Sequence, residues 1–347
     1  MTKKLTTACL LSTLLATLAA PVFAQSTDTF TVAAYNVENW LLIERDGQKD
    51  QPKPAAEREA VSRVIAQVRP DVLGVEEMGT ADELDDLLGG LHEKGLEYPY
   101  REWIEGADPT RHVALLSRFP FAQLFSRTDY NYLLNGKPQR IERGILDVEV
   151  KVNDQYSFRA VVAHLKSKRQ SKIGDQAVMR LEEAKLLRAH VGKALKNTPG
   201  LNLIVMGDFN DTPESEPIRT LLGEPPFNLF DLMPVDSKGG HDTHYWKFRD
   251  LFSRIDYLIA SPGLSNEYVE GSARIADVPE WNDASDHRTV YARFYDHDIG
   301  EPPGTVVAAG PTTEKTSPPY VTLVIVVAVV VVIAAIIVYR QRPRSKT

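Results

Sequence analysis

Short apolar segments of strand length recur along the middle of this chain. The predicted strands are residues 30–35, 72–75, 113–117, 145–150, 158–163, 203–206, 255–259 and 289–294. Residues 55–67 and 175–195 repeat apolar side chains at three- and four-residue spacing, which predicts helices. Because few helices separate many strands, we predict an α/β fold, a layered sandwich of mixed sheets rather than a doubly wound parallel sheet.

Polar residues lie at or beside one end of most of the predicted strands. These residues are Asn36, Glu76, Glu77, His164, Asp208, Asn210, Asp256, Asp286 and His287. Taken singly, each is usually a turn residue, a solvated acid or a satisfied core histidine. Strand ends meet at the edge of a sheet, however, so the whole set predicts a crevice. Its oxygens suit a hard cation, and its two histidines suit proton transfer near neutral pH.

The net charge of −7 over 347 residues conceals an uneven distribution. Residues 1–24 and 340–347 hold six cations and no acids, and without them 34 basic residues face 47 acidic ones, a balance of −13. Such an acidic body excludes general binding to polyanions, which requires a positive surface. A phosphate-bearing substrate must therefore be bound at a local site.

One basic cluster follows His164 directly and consists of Lys166, Lys168, Arg169 and Lys172. A run of charges is usually a solvated loop. Beside a candidate catalytic histidine on an acidic body, phosphate binding is an equally good interpretation. Arg143 is a further candidate for this task, with an ordinary surface arginine as the alternative.

The first 24 residues have the pattern of a secretory signal peptide. Lys3 and Lys4 precede an apolar run, and Val22-Phe23-Ala24 offers a cleavage site before Gln25. The alternative, an uncleaved anchor, would require a longer run. The single cysteine, Cys9, lies in this segment. The mature chain would therefore lack disulfides, thiolate zinc sites and cysteine nucleophiles.

Residues 320–339 predict a transmembrane helix, because an apolar run lies between two tyrosines and is followed by the basic tail 340–347. The alternative, a buried β segment, is usually shorter. Residues 297–319 are rich in proline and predict a linker, which leaves 25–296 as one domain. We expect a single-pass cell-membrane protein whose domain is periplasmic or extracellular and whose tail is cytoplasmic.

Six strings in order carry a resemblance to a known family: YNVEN (35–39), RPDVLGVEE (69–77), AHLKSK (163–168), MGDFND (206–211), SRIDYLIAS (253–261) and SDH (285–287). They resemble the endonuclease/exonuclease/phosphatase superfamily, which includes deoxyribonuclease I, AP endonucleases and neutral sphingomyelinases. The resemblance covers residues 30–294. It implies a four-layer α/β sandwich of two mixed β-sheets flanked by helices, which agrees with the strand prediction.

The resemblance also implies a Mg²⁺ site formed by Asn36, Glu77 and Asp286, which Mn²⁺ could also occupy. Glu76 stands where the family often has glutamine, so Glu77 is the expected ligand. One departure lies near the strand 113–117, where the family often has a glycine and this chain has Arg111-His112. We expect this pair to narrow or recharge the cleft.

Catalytic roles follow from the same resemblance. His287 would contact the scissile phosphate and be held by Asp256. Asp208 would orient or deprotonate the attacking water, Asn210 would bind a phosphate oxygen, and His164 would protonate the leaving oxygen. Phosphodiester hydrolysis needs these parts in any case: a positioned water, a cation, donors to the developing charge and a proton for the leaving group.

Three functions of different classes are compatible with the sequence, and we predict the first of them. The first is a metal-dependent nuclease with nucleic acid as substrate, for which Lys166, Lys168 and Arg143 would hold phosphates. The second is a sphingomyelinase-type lipid phosphodiesterase or another phosphoester hydrolase. For a lipid substrate, Phe119-Pro120-Phe121 with Leu124-Phe125 is a candidate apolar hairpin, with buried strand residues as the favoured alternative. The third is a non-catalytic interaction module, which the complete polar set argues against. No protein partner can be inferred.

Overall fold

Two six-stranded sheets form the centre of the molecule, which the computed structural model describes for residues 28–279 and 281–300. The strands are β1 (Thr29–Trp40), β2 (Ile43–Arg45), β3 (Gln48–Gln51), β4 (Val72–Met78), β5 (Tyr100–Ile104), β6 (His112–Ser117), β7 (Phe121–Leu124), β8 (Asn131–Leu134), β9 (Lys137–Arg140), β10 (Leu146–Lys151), β11 (Ser157–Val162), β12 (Leu203–Asp208), β13 (Phe230–Asp231), β14 (His244–Trp246), β15 (Leu251–Ser253), β16 (Asp256–Ala260), β17 (Arg274–Ile275) and β18 (Val290–Tyr295). The helices are α1 (Ala55–Val68), α2 (Ala81–Glu93), α3 (Gln176–Asn197), α4 (Glu216–Leu222) and α5 (Pro262–Glu267), with short 3₁₀ turns at Lys247–Arg249 and Trp281–Asp283.

Both large sheets are mixed. The first has the strand order β17-β18-β1-β4-β6-β5 and the second β13-β16-β12-β11-β10-β7. In the first only β1 and β4 pair in parallel, and in the second only β11 and β12, among the described residues. The ribbons β2–β3, β8–β9 and β14–β15 lie outside these sheets.

Three apolar clusters define four layers. The central cluster joins the two sheets, with Phe30 and Val72 from the first and Phe158 and Met206 from the second. A second cluster packs the outer face of the first sheet against α1 and α2. A third packs the outer face of the second sheet against α3 and α4. Since the central strands β4, β6, β12 and β16 are covered on both faces, their sequences are largely continuous apolar runs rather than alternating ones.

The pairing directions bring the polar strand ends to one edge. Because β1 and β4 are parallel, Asn36 lies opposite Glu76 where both strands approach their carboxyl ends. In the second sheet β16 runs antiparallel to β12, so Asp256 at the start of one strand pairs with Asp208 at the end of the other. Strand β18 is antiparallel to β1, and His287 just before it therefore reaches the same edge.

The predicted four-layer α/β sandwich is confirmed, and each predicted strand and helix is present within a few residues. The sequence prediction lacked three helices, α2, α4 and α5, the edge or short strands β5, β7, β13 and β17, and the three ribbons. The predicted signal peptide, transmembrane helix and tail, and most of the linker, lie outside the described residues. Within residues 28–279 and 281–300, no helix combines the length and apolar character needed to cross a bilayer.

Candidate active site

A buried chain of acid and imidazole groups lies at the shared sheet edge. Nδ1 of His287 is 3.0 Å from both carboxylate oxygens of Asp256. On the other side of the ring, Nε2 of His287 is 3.7 Å from Oδ2 of Asp208. Nε2 of His164 is 3.4 Å from the same oxygen. Asp208 therefore lies between two imidazoles, as the sequence predicted for residues of one site.

The surroundings shift the pKa values of His287 and Asp208 and so favour different protonation states in the two groups. Burial alone would lower the pKa of His287, but the carboxylates of Asp256 and Asp208 outweigh it and raise the pKa well above its usual range. Burial raises the pKa of Asp208 to about 7, with Asp256 and Glu77 adding to the effect and the charge of His287 opposing it. A carboxyl group poised near neutral pH is suited to proton transfer.

His164 is held in the neutral state. Burial lowers its pKa well below the usual range, and the charges of Arg143 and His287 act in the same direction. Among the described residues neither ring nitrogen has a hydrogen-bond partner. A neutral imidazole that is buried without partners can donate to or accept from a substrate. It is a poor proton donor at neutral pH, so the role of acid for the leaving oxygen stays a prediction.

Two asparagines fix the orientation of Asp208. Nδ2 of Asn36 donates to Oδ2 of Asp208 at 3.1 Å, and Nδ2 of Asn210 donates to the same atom at 3.0 Å. The backbone N–H of Asn210 donates to Oδ1 at 2.8 Å. The second amide donor of Asn210 is directed to the carbonyl of Leu165 at 3.1 Å. In this structure the Asn210 amide thus positions Asp208, and its predicted contact with a phosphate oxygen is untested.

Glu76 lies beneath this group and faces the second sheet. It is fully buried, and neither carboxylate oxygen has a hydrogen-bond partner among the described residues. Burial and the nearby charges of Asp256 and Asp208 raise its pKa well above the usual range, so it is held protonated. Gly207, at φ 130°, allows this approach, because a Cβ there would lie 2.9 Å from Oε1 of Glu76.

Carboxylates gather on the other side of Asn36, where the sequence predicted a cation. The backbone N–H of Asp286 donates to Oε2 of Glu38 at 3.0 Å. Burial raises the pKa of Glu38, and the charges of Asp286 and Glu77 add to the effect while Lys53 opposes it. This surplus of negative charge fits a bound divalent cation, for which carboxylate and amide oxygens are suitable ligands. Of the predicted ligands, Glu77 accepts at Oε2 from the backbone N–H of Asn39 at 3.0 Å.

Backbone strain is concentrated at the same residues. Glu38 has φ 47°, Glu77 has φ 60° and Asn210 has φ 54°, all in the left-handed region. Only glycine adopts this region without cost, and other residues keep it where the surroundings hold them there. In β1 the pairing with β4 is irregular between Asn36 and Trp40, which turns Glu38 out of the strand pattern and towards the site.

The three predicted phosphate-binding cations are all paired with acids. Arg143 is buried, with Nη1 2.8 Å from Glu142 and Nη2 3.2 Å from Asp108. Nζ of Lys166 is 3.0 Å from Glu142, and Nζ of Lys168 is 3.1 Å from Asp211. These pairs fix the cations in place. They also reduce the positive charge available to a substrate.

A cavity of about 510 Å³ lies beside Glu77 and is lined by several of these cations. Arg143 and Lys166 line it together with Arg111, Arg140 and Arg169, whereas Lys168 lies outside the lining. Arg111 also donates from Nη2 to Oδ1 of Asn39 at 2.6 Å. Of the pair Arg111-His112, Arg111 therefore borders the cavity, whereas His112 is buried with its ring against Trp103.

The sequence prediction missed two residues of the site. Glu38 is two residues after Asn36 in the YNVEN string, and its place in that string was the available signal. His244 begins β14, and its ring centroid is 4.7 Å from that of His287. Nothing in the local sequence points to His244, because its neighbour is 43 positions away along the chain and the pairing of the two segments alone brings them together.

Comparison with known proteins agrees with this architecture. Residues 39–287 match the model of the Endonuclease/Exonuclease/phosphatase family. The chain belongs to this family, and it is a hydrolase of phosphoester bonds. No curated protein matches the sequence.

Solved structures share the fold at low sequence identity. Truncated TDP2 from Caenorhabditis elegans is 14% identical with a TM-score of 0.53, covering 77% of this chain and 98% of its own. Sphingomyelinase C from Streptomyces griseocarneus is 18% identical with a TM-score of 0.50, covering 77% and 99%. The human nocturnin catalytic domain with bound sulfate is 17% identical with a TM-score of 0.52, covering 77% and 94%. At these identities the likeness establishes the fold alone.

Proposed function

We propose that this protein is a divalent-metal-dependent phosphodiesterase that hydrolyses nucleic-acid phosphodiester bonds by an activated water. One observation carries the proposal. Asp208, a buried carboxyl group with its pKa raised to about 7, lies 3.7 Å from an imidazolium and 3.4 Å from a neutral imidazole. A base, a cationic donor and a neutral donor within one small space are the groups that hydrolysis at phosphorus requires.

Asp208 would act on the attacking water. Asn36 and Asn210 hold both oxygens of its carboxylate, so the remaining lone pairs have a fixed direction. A water bound there would give its proton to Asp208 as its oxygen attacks phosphorus. General base catalysis of this kind contributes about 10²- to 10⁴-fold to the rate.

His287 and His164 serve the phosphate oxygens and the leaving group. The imidazolium of His287, oriented by Asp256, can donate from Nε2 to a non-bridging oxygen whose negative charge grows in the transition state. As the protonated imidazole of the pair, it is also the better source of a proton for the leaving alkoxide. His164 would then supply a neutral N–H to the phosphate, a different role from the one that the family resemblance implied.

A divalent cation fits the oxygens of Asn36, Glu38, Glu77 and Asp286. We propose Mg²⁺, with Mn²⁺ as a substitute, because all these ligands are oxygens. When bound, such an ion polarises a phosphoryl oxygen and neutralises developing charge. Glu38 replaces none of the predicted ligands but joins them, since its carboxylate contacts the backbone of Asp286.

The cavity beside Glu77 supports a polyanionic substrate. Phosphates that flank the scissile one would lie against Arg111, Arg140 and Arg169, which line this cavity. Arginine suits this contact because its planar group binds phosphate through two hydrogen bonds. The remainder of the body is acidic, so binding away from this cavity should be weak.

A lipid substrate is the second candidate, favoured by a specific surface. In the hairpin of β14 and β15, four apolar residues have large solvent-exposed fractions: Trp246 45%, Phe248 92%, Leu251 52% and Phe252 50%. Exposed apolar groups clustered on one hairpin can enter a lipid surface. The hairpin first considered for this task offers a smaller surface, because Phe119 and Phe121 pack against the central core and Leu124 alone of its large apolar residues is exposed.

A paired assay separates the two substrates. The purified protein is incubated with duplex DNA, single-stranded DNA and RNA, and separately with sphingomyelin vesicles, with Mg²⁺ and with chelator. We expect Mg²⁺-dependent cleavage of nucleic acid that chelator abolishes. Cleavage of the lipid headgroup with no cleavage of nucleic acid would establish the lipid candidate instead.

We further propose that the domain works outside the cytoplasm, anchored to the cell membrane by residues 320–339. The signal-like first 24 residues and the basic tail after the apolar run support this orientation.

A further inference from the structure

His244, Asp286 and His287 form a compact group beside the proposed magnesium ligands. One ligand atom from each lies within 4.8 Å of the others. Nε2 of His244 is 3.8 Å from Oδ2 of Asp286, and Nε2 of His287 is 3.8 Å from Oδ1 of the same carboxylate. These separations are too long for hydrogen bonds. They leave room for an ion between the three groups.

Each imidazole is oriented by a partner on its far nitrogen. Nδ1 of His244 lies 3.2 Å from Oγ of Ser253, and Nδ1 of His287 lies 3.0 Å from the carboxylate of Asp256. Histidines that bind metals usually have such a partner, which fixes the ring and directs the other nitrogen to the ion. Here both partners leave Nε2 facing Asp286.

Backbone pairing holds the two histidines in register. His244 and His287 form an isolated antiparallel bridge between the β14 segment and residues 286–288. The N–H of Tyr245 donates to the carbonyl of Asp286 at 2.9 Å, and the N–H of Arg288 donates to the carbonyl of Thr243 at 2.7 Å. The three side chains are therefore preorganised by main-chain hydrogen bonds on both sides.

We propose that His244, Asp286 and His287 bind one transition-metal ion of the Zn²⁺ type. Two imidazole nitrogens and one carboxylate oxygen suit Zn²⁺, whereas Mg²⁺ prefers oxygen ligands throughout. His244 is 18% exposed and Asp286 37% exposed, so the open side of the group can supply a water as fourth ligand. Asp286 also belongs to the proposed magnesium site, so the two ions would compete for it.

Occupation of this site would regulate the enzyme. An ion on Nε2 of His287 displaces the proton of the imidazolium, which passes to solvent, and so removes the donor that the proposed mechanism directs to the phosphate. We therefore expect Zn²⁺ to inhibit Mg²⁺-dependent hydrolysis. This inhibition rests on the proposed function, whereas the binding of the ion does not.

The binding is tested by calorimetric titration of the purified full-length protein with Zn²⁺ in the absence of Mg²⁺. We expect one Zn²⁺ per chain and an affinity weakened at least about tenfold by His244→Ala, since loss of an outer-shell partner alone has an effect of that size. His92→Ala, an exposed histidine on α2, is the matched control and should bind like the wild type. Equal affinity of wild type and His244→Ala, or the absence of a stoichiometric site, would overturn the proposal.

A second variant and a second readout guard against misfolding and against failure of the proposed function. Ser253→Ala leaves all three ligands in place and removes the partner of His244 Nδ1, so it should weaken Zn²⁺ binding less than His244→Ala does. Co²⁺ in place of Zn²⁺ should give a visible absorption band of four-coordinate type, which His244→Ala abolishes. Zn²⁺ binding without hydrolysis of any substrate would refute the proposed function and leave this site standing. Hydrolysis without Zn²⁺ binding would refute the Zn²⁺ site and leave the proposed function standing.

Discussion

Individual residues carry the chemistry because the surroundings separate their protonation states. Asp256 has one task in this scheme, which is to hold the charge on His287. Two imidazoles at almost equal distance from Asp208 would otherwise be interchangeable. Burial and the charges of Arg143 and His287 lower the pKa of His164, whereas the carboxylates of Asp256 and Asp208 raise that of His287.

The pH dependence of the rate tests this role of Asp256. Replacing it in Asp256→Asn removes the carboxylate that raises the pKa of His287, so this pKa should fall. Since the protonated form is the active one, the loss of activity on the basic side of the pH–rate profile should move to lower pH. NMR titration of the His287 ring in chelator should show the same downward shift. An unchanged pKa in the variant would mean that Asp256 is only structural.

Much of the site was predictable at the residue scale, because the signal lies in the sequence next to each residue. Asn36, Asp208 and His287 each follow or precede an apolar strand, so their positions at a sheet edge can be read from the chain. His244 and the ion pairs of Arg143 could not be predicted in this way. They depend on segments that are distant in sequence, and no periodic pattern records which loops will meet.

At the scale of elements, α3 anchors the loops that border the cavity. The carboxylate of Glu183 accepts from the backbone N–H of Glu142 at 3.1 Å and from that of Lys166 at 2.7 Å. Burial raises the pKa of Glu183 to about 7, with Glu142 adding to the effect and Arg143 opposing it. This one side chain therefore joins α3 to two loops that carry cavity cations.

Glu183 should make the stability depend on pH. Its folded pKa exceeds the ordinary value of 4.5, so its contribution is present below about pH 4.5 and is lost as pH rises through about 7. The loss amounts to up to about 3 kcal/mol. Urea unfolding at pH 5 and pH 8 should show a smaller difference for Glu183→Gln than for the wild type. Its neighbour variant Glu182→Gln should keep the wild-type difference, and an unchanged difference in Glu183→Gln would contradict the assignment.

Some of the elements that were not predicted carry a local sequence signal, and others do not. Thr80 and Glu83 form a capping box before Leu84, Leu87 and Leu91, a pattern that would have predicted α2. The ribbons β2–β3, β8–β9 and β14–β15 have strands of three or four residues. Strands this short give no measurable alternation, so their pairing depends on the surrounding fold.

At the scale of the whole molecule, we expect the acidic body to repel a polyanionic substrate and the basic cavity to bind it. The charge balance of −13 opposes binding of a polyanion in general, and the arginines beside Glu77 line the cavity where we propose that nucleic acid binds. The proposed signal peptide and transmembrane helix at the two ends of the chain would then determine in which compartment the enzyme acts.

Fractionation of cells tests the proposed location. The full chain should be found in the membrane fraction, with its domain digested by protease added from outside the membrane. A chain that stops after residue 300 should be released into the soluble extracytoplasmic fraction, because it lacks residues 320–339. Protection of the domain in intact cells, with digestion only after lysis, would show that the proposed orientation is wrong.

The most direct test of the central claim is the rate of Mg²⁺-dependent DNA hydrolysis by Asp208→Asn beside that of the wild type. The substitution keeps the size of the side chain and removes its ability to accept a proton. We predict a fall in kcat of about 10²- to 10⁴-fold, with a melting temperature close to that of the wild type. Asp242→Asn, which changes an exposed carboxylate, should retain the wild-type rate. A wild-type rate in Asp208→Asn would contradict the account.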